Sequence, residues 1–167
     1  HQPIDSLGIN YYSRGFVTHD ATLPYPHAVE VQNPASTYTA MGWEVFPQGL
    51  HDILKRFHQD YAPKAIYVAE NGSAYEDQLI DGQVDDEARR SYLESHLAAA
   101  ASTIPDGVPL VAYLVWSLLD NYEWGWGYSR RFGIVHVDYE TQRRTPKKSA
   151  LWYRDFIARS KQGACAE

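Results

Sequence analysis

Glu70 stands directly after the run Ile66-Tyr67-Val68-Ala69 and directly before Asn71-Gly72, so an acid group sits where an apolar strand meets a turn. A carboxylate carried on such a rigid end can attack an electrophilic carbon or handle a proton. A solvated Glu ahead of a turn needs no function at all, and the local pattern leaves both readings open. Tyr12, Trp116, Glu123 and Trp124 shift the balance when taken together. A sugar ring presents an apolar C–H face and a rim of hydroxyls, which indole faces and carboxylates match by stacking and hydrogen bonding. Singly, each of these aromatics is more often core than ligand contact. The chain is rich in them: 13 Tyr, 5 Trp and 5 Phe make 14% aromatic residues, clustered in Asn10-Tyr11-Tyr12 and in Tyr122 to Tyr128 beside polar and acidic groups.

The elements that must position these groups follow from periodicity. Leu7 to Tyr12 is a short β-type run. Residues 17–47 carry Pro24, Pro26, Pro34 and Pro47 with few periodic positions, and read as one long loop. Leu50, Ile53, Leu54 and Phe57 form an amphipathic helical stripe, closed by Pro63. Ala65 to Ala69 reads as a strand buried on both faces of a parallel sheet. Asp85 and Asp86 offer caps for a helix whose apolar face is Leu93, Leu97, Ala100 and Ile104, ended by Pro105-Asp106-Gly107. Pro109 to Trp116 is the next strand, Phe132 to Val137 a short one, and Pro146 opens a last helix. Alternating strands and helices imply βαβ units, an α/β fold with a parallel sheet. Asn10, Glu70 and Ser117 with Asp120 then lie at the carboxyl ends of three strands, where parallel α/β folds bind ligands.

Length, charge and cysteine usage exclude other classes. At 167 residues the chain is of single-domain size. It is too short for a complete (β/α)8 barrel, which needs at least roughly 200. With 15 basic against 21 acidic residues the net charge is −6, which gives no footprint for a phosphate backbone, so no nucleic-acid partner is expected. The longest apolar run, Val108 to Trp116, is interrupted by Pro109 and is about half the length of a membrane span, so no membrane partner is expected either. The single cysteine, Cys165, reads as an incidental tail thiol and permits a reducing, cytoplasmic setting. The seven His residues show no ligand spacing, so neither a metal nor a cofactor is implied, and His51 and His58 read as a solvated helix face.

The stretches Leu-Gly-Ile-Asn-Tyr-Tyr (7–12), Met-Gly-Trp-Glu (41–44), Tyr-Val-Ala-Glu-Asn-Gly (67–72) and, above all, Val-Trp-Ser-Leu-Leu-Asp-Asn-Tyr-Glu-Trp (115–124) resemble glycoside hydrolase family 1, the β-glucosidase-like retaining enzymes. The last stretch continues as Gly-Tyr-Ser-Arg-Arg-Phe-Gly-Ile (127–134). One departure is Ala69, where the family commonly has Thr. The resemblance implies that residues 1–160 are roughly the last three β/α units of a (β/α)8 barrel, a partial TIM barrel, with 161–167 as a tail. It also implies Glu70 as catalytic nucleophile and Tyr12 as the phenol that orients it. Asn10 then lines the innermost sugar subsite, Trp116 lies under the ring, and Glu123 and Trp124 bind peripheral hydroxyls. Trp43 meets the aglycone at the entrance, with Phe132 packed nearby. Arg130, Arg131, Asp120, Arg144 and Lys147 take structural roles.

A retaining glycosidase needs two carboxyl groups about 5–5.5 Å apart, one to attack and one to protonate the leaving oxygen and then activate water. Glu123 is tempting as the second. The family's acid/base lies instead in an Asn-Glu-Pro motif on an earlier strand, and no Asn-Glu-Pro occurs here. The resemblance therefore implies a portion of a β-glucosidase, inactive alone, whose partners are a β-glucoside or oligosaccharide substrate and the N-terminal part of the same barrel. The competing reading is a non-catalytic, aromatic-rich carbohydrate-binding module.

Overall fold

The computed structural model describes residues 4–164, with side-chain surroundings defined through residue 161; Cys165, expected as a tail thiol, lies outside the described residues. β1 spans Leu7–Asn10. The segment expected as one long loop contains an antiparallel hairpin, β2 (Val17–His19) and β3 (Ala28–Glu30), and a further bridge between Tyr38 and Glu44. Every residue of the two strands is exposed, so they carry no inside–outside alternation to betray them. α1 (Pro47–Tyr61) starts with Pro at its first turn and turns Leu50 and Leu54 into the core. It stops where Ala62 enters the left-handed region, φ 44°, with its N–H on the His58 carbonyl. His51 and His58 on this helix are half-buried, not fully solvated.

β4 (Ile66–Asn71), α2 (Glu87–Ala101) and β5 (Leu110–Val115) complete the central layer. The three-stranded sheet has the order β1-β4-β5, all parallel. Ile9, Leu50, Leu54, Ile66, Val68, Ala100 and Val108 form one core cluster beneath α1 and α2. Helices cover one face of the sheet alone: Tyr67 is 37% exposed, Val111 55% and Leu114 50%. The expectation of a strand buried on both faces is therefore corrected for β4 by the exposure of Tyr67. Ile104 also leaves the expected α2 face, standing exposed in a short 3-10 turn (Ile104–Asp106).

β6 (Val135–Val137) pairs antiparallel with β7 (Arg144–Pro146), and α3 follows as Lys148–Ala164. Pro146, expected in the first turn of that helix, ends a strand instead. Its ring blocks no needed donor there, and the first helical turn forms two residues later. α3 runs past residue 160, where a tail was expected, to Ala164.

Buried charge joins these parts. Arg89 is held by Asp77 (Nη2–Oδ2 2.8 Å) and Asp86 (Nη1–Oδ2 2.5 Å). Lys147 is fully buried and bridges Asp77 (2.5 Å) to Asp120 (2.8 Å), and Asp120 accepts from Arg131 at 2.6 Å. Burial pulls the Lys147 amine below its ordinary range, with Arg89 adding to that pull and the two carboxylates opposing it. Asp86 occupies the expected cap position of α2 without capping it. Its carboxylate turns instead to Arg89 and to Ser149 of α3. Arg144 sits on the surface, donating to the Gln142 carbonyl.

His96 on α2 is fully buried. Its ring stacks on Tyr92 at 3.8 Å, Nδ1 donates to the Tyr92 carbonyl at 2.8 Å, and Nε2 has no protein partner. Burial lowers its pKa from 6.5 to about 4, against a smaller rise from the Tyr92 carbonyl. The unfolded chain therefore takes up a proton as pH falls through 6.5, while the folded chain resists until about 4, so stability drains away across that window. Between pH 7.5 and pH 5 the native chain should lose about 2 kcal/mol more than His96→Phe, read from denaturant unfolding at the two pH values. Equal losses would mean that His96 is protonated in the fold.

Candidate functional site

Three strand ends converge. Asn10 of β1 lies in register with Glu70 of β4, and the Tyr11 N–H donates to the Glu70 carbonyl at 3.0 Å. On the other side the Trp116 N–H, just past β5, donates to the Asn71 carbonyl at 2.9 Å. The ladder register slips between Ile9 and Asn10 and again between Val68 and Asn71, irregularities that re-aim side chains at a sheet rim. Gly72 lets the backbones close: a Cβ there would overlap the Trp116 carbonyl oxygen. The Trp116–Ser117 peptide is cis.

Asn71 is the hub beneath this rim. Fully buried, its Nδ2 donates to the Tyr11 carbonyl (2.6 Å) and to the Tyr92 hydroxyl (3.1 Å), while Tyr113 donates to its Oδ1. The Tyr92 hydroxyl in turn donates to the Tyr12 carbonyl at 3.0 Å. One amide thus ties the segment after β1 to α2 and β5. The result is that the Tyr12 phenol reaches Glu70, donating to Oε2 at 2.9 Å.

Glu70 opens into a cavity of 510 Å³ walled by Tyr12, Met41, Trp43, Trp116, Glu123, Trp124, Gly125, Trp126 and Phe132. Behind it the rings of Tyr12, Trp43 and Phe132 pack as a triangle, with centroids 5.3 to 6.1 Å apart. Glu123 precedes a 3-10 turn, Trp124–Trp126, closed by the Glu123 N–H on the Gly127 carbonyl (2.7 Å) and the Trp126 N–H on the Glu123 carbonyl (2.8 Å). Trp124 takes φ 44° in that turn and is 80% exposed, a backbone strain and an apolar exposure together on the cavity wall. Arg130 lies over the Trp126 ring at 4.4 Å.

The charges are arranged unequally. Burial, the hydrogen bond to Glu70 and the charges of Glu70 and Glu123 push the Tyr12 phenol far above its ordinary range, so it stays a donor. Burial first, then the Glu70 charge, raises the Glu123 carboxyl, with the Trp116 indole opposing. Glu70 therefore meets a fixed hydrogen-bond donor, in a cavity whose second acid, Glu123, is held above the ordinary carboxyl range by burial.

Of the residues singled out from the sequence, Tyr12, Trp43, Glu70, Trp116, Glu123, Trp124 and Phe132 line this one cavity. Asn10 does not: it is exposed at the end of β1, beyond the bulge at Ile9. Met41 and Trp126 were not singled out, although Met41 opens the quoted motif 41–44 and Trp126 lies in the aromatic cluster Tyr122 to Tyr128. Asn71 and Tyr92, the positioning pair, left no local signal, since 21 residues separate them. Among the described residues no group of three or more His, Cys, Asp or Glu side chains is placed to hold a metal ion, and no helix is long and apolar enough to cross a membrane.

Residues 1–162 match the sequence model of glycosyl hydrolase family 1. Beta-glucosidase A of Thermotoga maritima is 47% identical over 158 residues, covering 93% of this chain and 35% of that protein. Beta-glucosidase A of Acetivibrio thermocellus is 41% identical over 163 residues, again covering 93% of this chain and 35% of the relative. The solved family 1 β-glucosidase from Thermotoga maritima superposes with a TM-score of 0.88 at 46% identity, covering 93% of this chain and 35% of that one. The same enzyme in complex with glucoimidazole gives 0.87 at 46% identity, over 93% and 34%. The chain thus spans 35% of the length of the curated relatives it matches.

Proposed function

Because the chain belongs to glycosyl hydrolase family 1, with its parallel β/α units forming part of a TIM barrel, we propose that it is the nucleophile-bearing portion of a retaining β-glucosidase. The observation that carries this reading is the Tyr12 hydroxyl on Glu70 Oε2 at 2.9 Å, inside a cavity walled by Trp43, Trp116, Trp124 and Glu123. Glu70 attacks the anomeric carbon of a terminal β-glucosyl unit as the glycosidic C–O bond breaks, giving a glycosyl ester. The leaving oxygen takes its proton from an acid elsewhere in the complete barrel, and the same group later removes a proton from the water that cleaves the ester. Tyr12 holds the attacking oxygen by a fixed hydrogen bond at no reorganisation cost. Trp116 supplies the flat apolar platform under the ring, Glu123 and Trp124 take peripheral hydroxyls, and Trp43 with Phe132 shapes the exit for the leaving group.

Two inversions at one carbon return the starting configuration. The complete barrel acting on an aryl β-glucoside should therefore release β-glucose first, visible in the anomeric proton signals within minutes and before mutarotation. First appearance of the α-anomer would assign water, not Glu70, as the attacking group and end this reading.

A further inference from the structure

Tyr12 reaches Glu70 because the backbone that carries it is held on two sides. Asn71 and Tyr92 hold it from beneath, through the Tyr11 and Tyr12 carbonyls. A second set of contacts holds it from outside, joining residues 11–14 to residues 44–46. The Tyr11 hydroxyl donates to the Phe46 carbonyl at 2.6 Å, and the Ser13 hydroxyl donates to the Glu44 carbonyl at 3.0 Å. Both neighbours of Tyr12 are therefore fastened to the segment that follows Trp43, whose ring packs on Tyr12 with centroids 5.3 Å apart. A Cβ at Gly49 would overlap the Tyr11 hydroxyl, so glycine there leaves room for the first of these ties.

The strongest of these ties is the ion pair between Arg14 and Glu44. Nε donates to Oε2 at 2.6 Å and Nη2 to Oε1 at 3.0 Å, so the guanidinium meets the carboxylate with two bonds. Glu44 is buried, and Ser36 donates to the same carboxylate. The guanidinium also lies over two rings, 3.5 Å from the Phe46 centroid and 4.5 Å from that of Phe16. Charge-assisted bonds are roughly twice as strong as neutral ones, and a bidentate pair fixes direction as well as distance. Of the contacts that fasten residues 11–14 from outside, this pair has the least freedom to shift. Neither Arg14 nor Glu44 lines the cavity of Glu70, so any effect they have on the nucleophile passes through the residues they hold.

We infer that the Arg14–Glu44 pair sets the Tyr12 phenol on Glu70, which makes both of them positioning residues for the nucleophile; this rests on the glycosidase reading above. Glu44→Gln keeps the shape of the side chain but turns one acceptor oxygen into a donor facing the guanidinium, which loosens the pair. Four complete barrels test the inference: the parent, Glu44→Gln, Tyr12→Phe and the double variant. Each is assayed on phenyl β-glucoside, whose poor leaving group makes attack by Glu70 the slow step. Glu44→Gln should lower kcat about fivefold while the Tyr12 hydroxyl is present, and by less than about twofold once Tyr12→Phe has removed it. A side chain that serves the fold alone would cost the same factor in both backgrounds. Arg14→Lys keeps the charge and loses the two-pronged contact, so it repeats the comparison should Glu44→Gln fail to fold, with the same dependence on Tyr12 expected. Equal factors in the two backgrounds, or an unchanged kcat in Glu44→Gln, overturns the proposal and leaves the glycosidase reading standing. Turnover by Glu70→Gln at the parent rate would instead overturn that reading, and this proposal with it.

Discussion

Glu70→Gln in the complete barrel should lower kcat for an aryl β-glucoside by on the order of 10³-fold or more, with KM moving far less. The amide has the shape of the carboxylate and can still accept the Tyr12 hydrogen bond, now 2.9 Å at Oε2, so the cavity wall is preserved. What is lost is the electron pair that forms the bond to the anomeric carbon, and that loss is felt in the transition state. Each factor of ten corresponds to about 1.4 kcal/mol of barrel-supplied stabilisation, so the expected effect is at least about 4 kcal/mol. Tyr12 separates the two contributions: Tyr12→Phe removes the donor and leaves the nucleophile, and its deficit should be much smaller. A kcat for Glu70→Gln within tenfold of the parent enzyme would remove Glu70 from the chemistry.

Lys147→Ala should destabilise the fold by about 3–5 kcal/mol, the range for stripping one partner from a buried ion network. Lys147 is the cation shared by Asp77 and Asp120, at 2.5 and 2.8 Å, and none of the three side chains reaches water to any extent. Without it two carboxylates face each other across a dry gap, Asp77 left to Arg89, and Asp120 to Arg131 and the Gly133 and Val137 N–H groups. For a chain of this size the thermal midpoint should fall by roughly 10 °C or more. Denaturant unfolding of Lys147→Ala beside Lys148→Ala gives the contrast, because Lys148 makes only exposed pairs with Asp85 and Glu87 and its loss should leave the midpoint in place. Equal midpoints for the two variants would mean that water enters the network.

These two expectations differ in how visible they were in the sequence. The places of Glu70, Tyr12 and Trp116 at strand ends were legible because strand ends are local events, an apolar run, a polar residue and a turn in adjacent letters, while their roles came from the family resemblance. The Leu50, Ile53, Leu54, Phe57 stripe of α1 was legible for the same reason, since its period lies within one element. The pairing around Lys147 was not: the resemblance implied structural roles for Asp120, Arg131 and Lys147, but Asp77 and Lys147 stand 70 residues apart and no local pattern joins them. The hairpin β2–β3 and strand β7 escaped notice because three-residue strands lack room for a period. Asp86 misled in the opposite direction. Its letter and place announce a helix cap, yet a buried arginine and Ser149 have the stronger claim on its oxygens.

Trp124 is where recognition and robustness part company. Its left-handed backbone would suit glycine, and an indole 80% in water gains little from packing. A selection for heat resistance alone would therefore drive this position toward glycine and erase a wall of the cavity beside Glu70 on the way. Stabilising this fold by directed evolution therefore needs a screen that reads the cavity as well as the melting point, since stability by itself gives no reason to keep that residue.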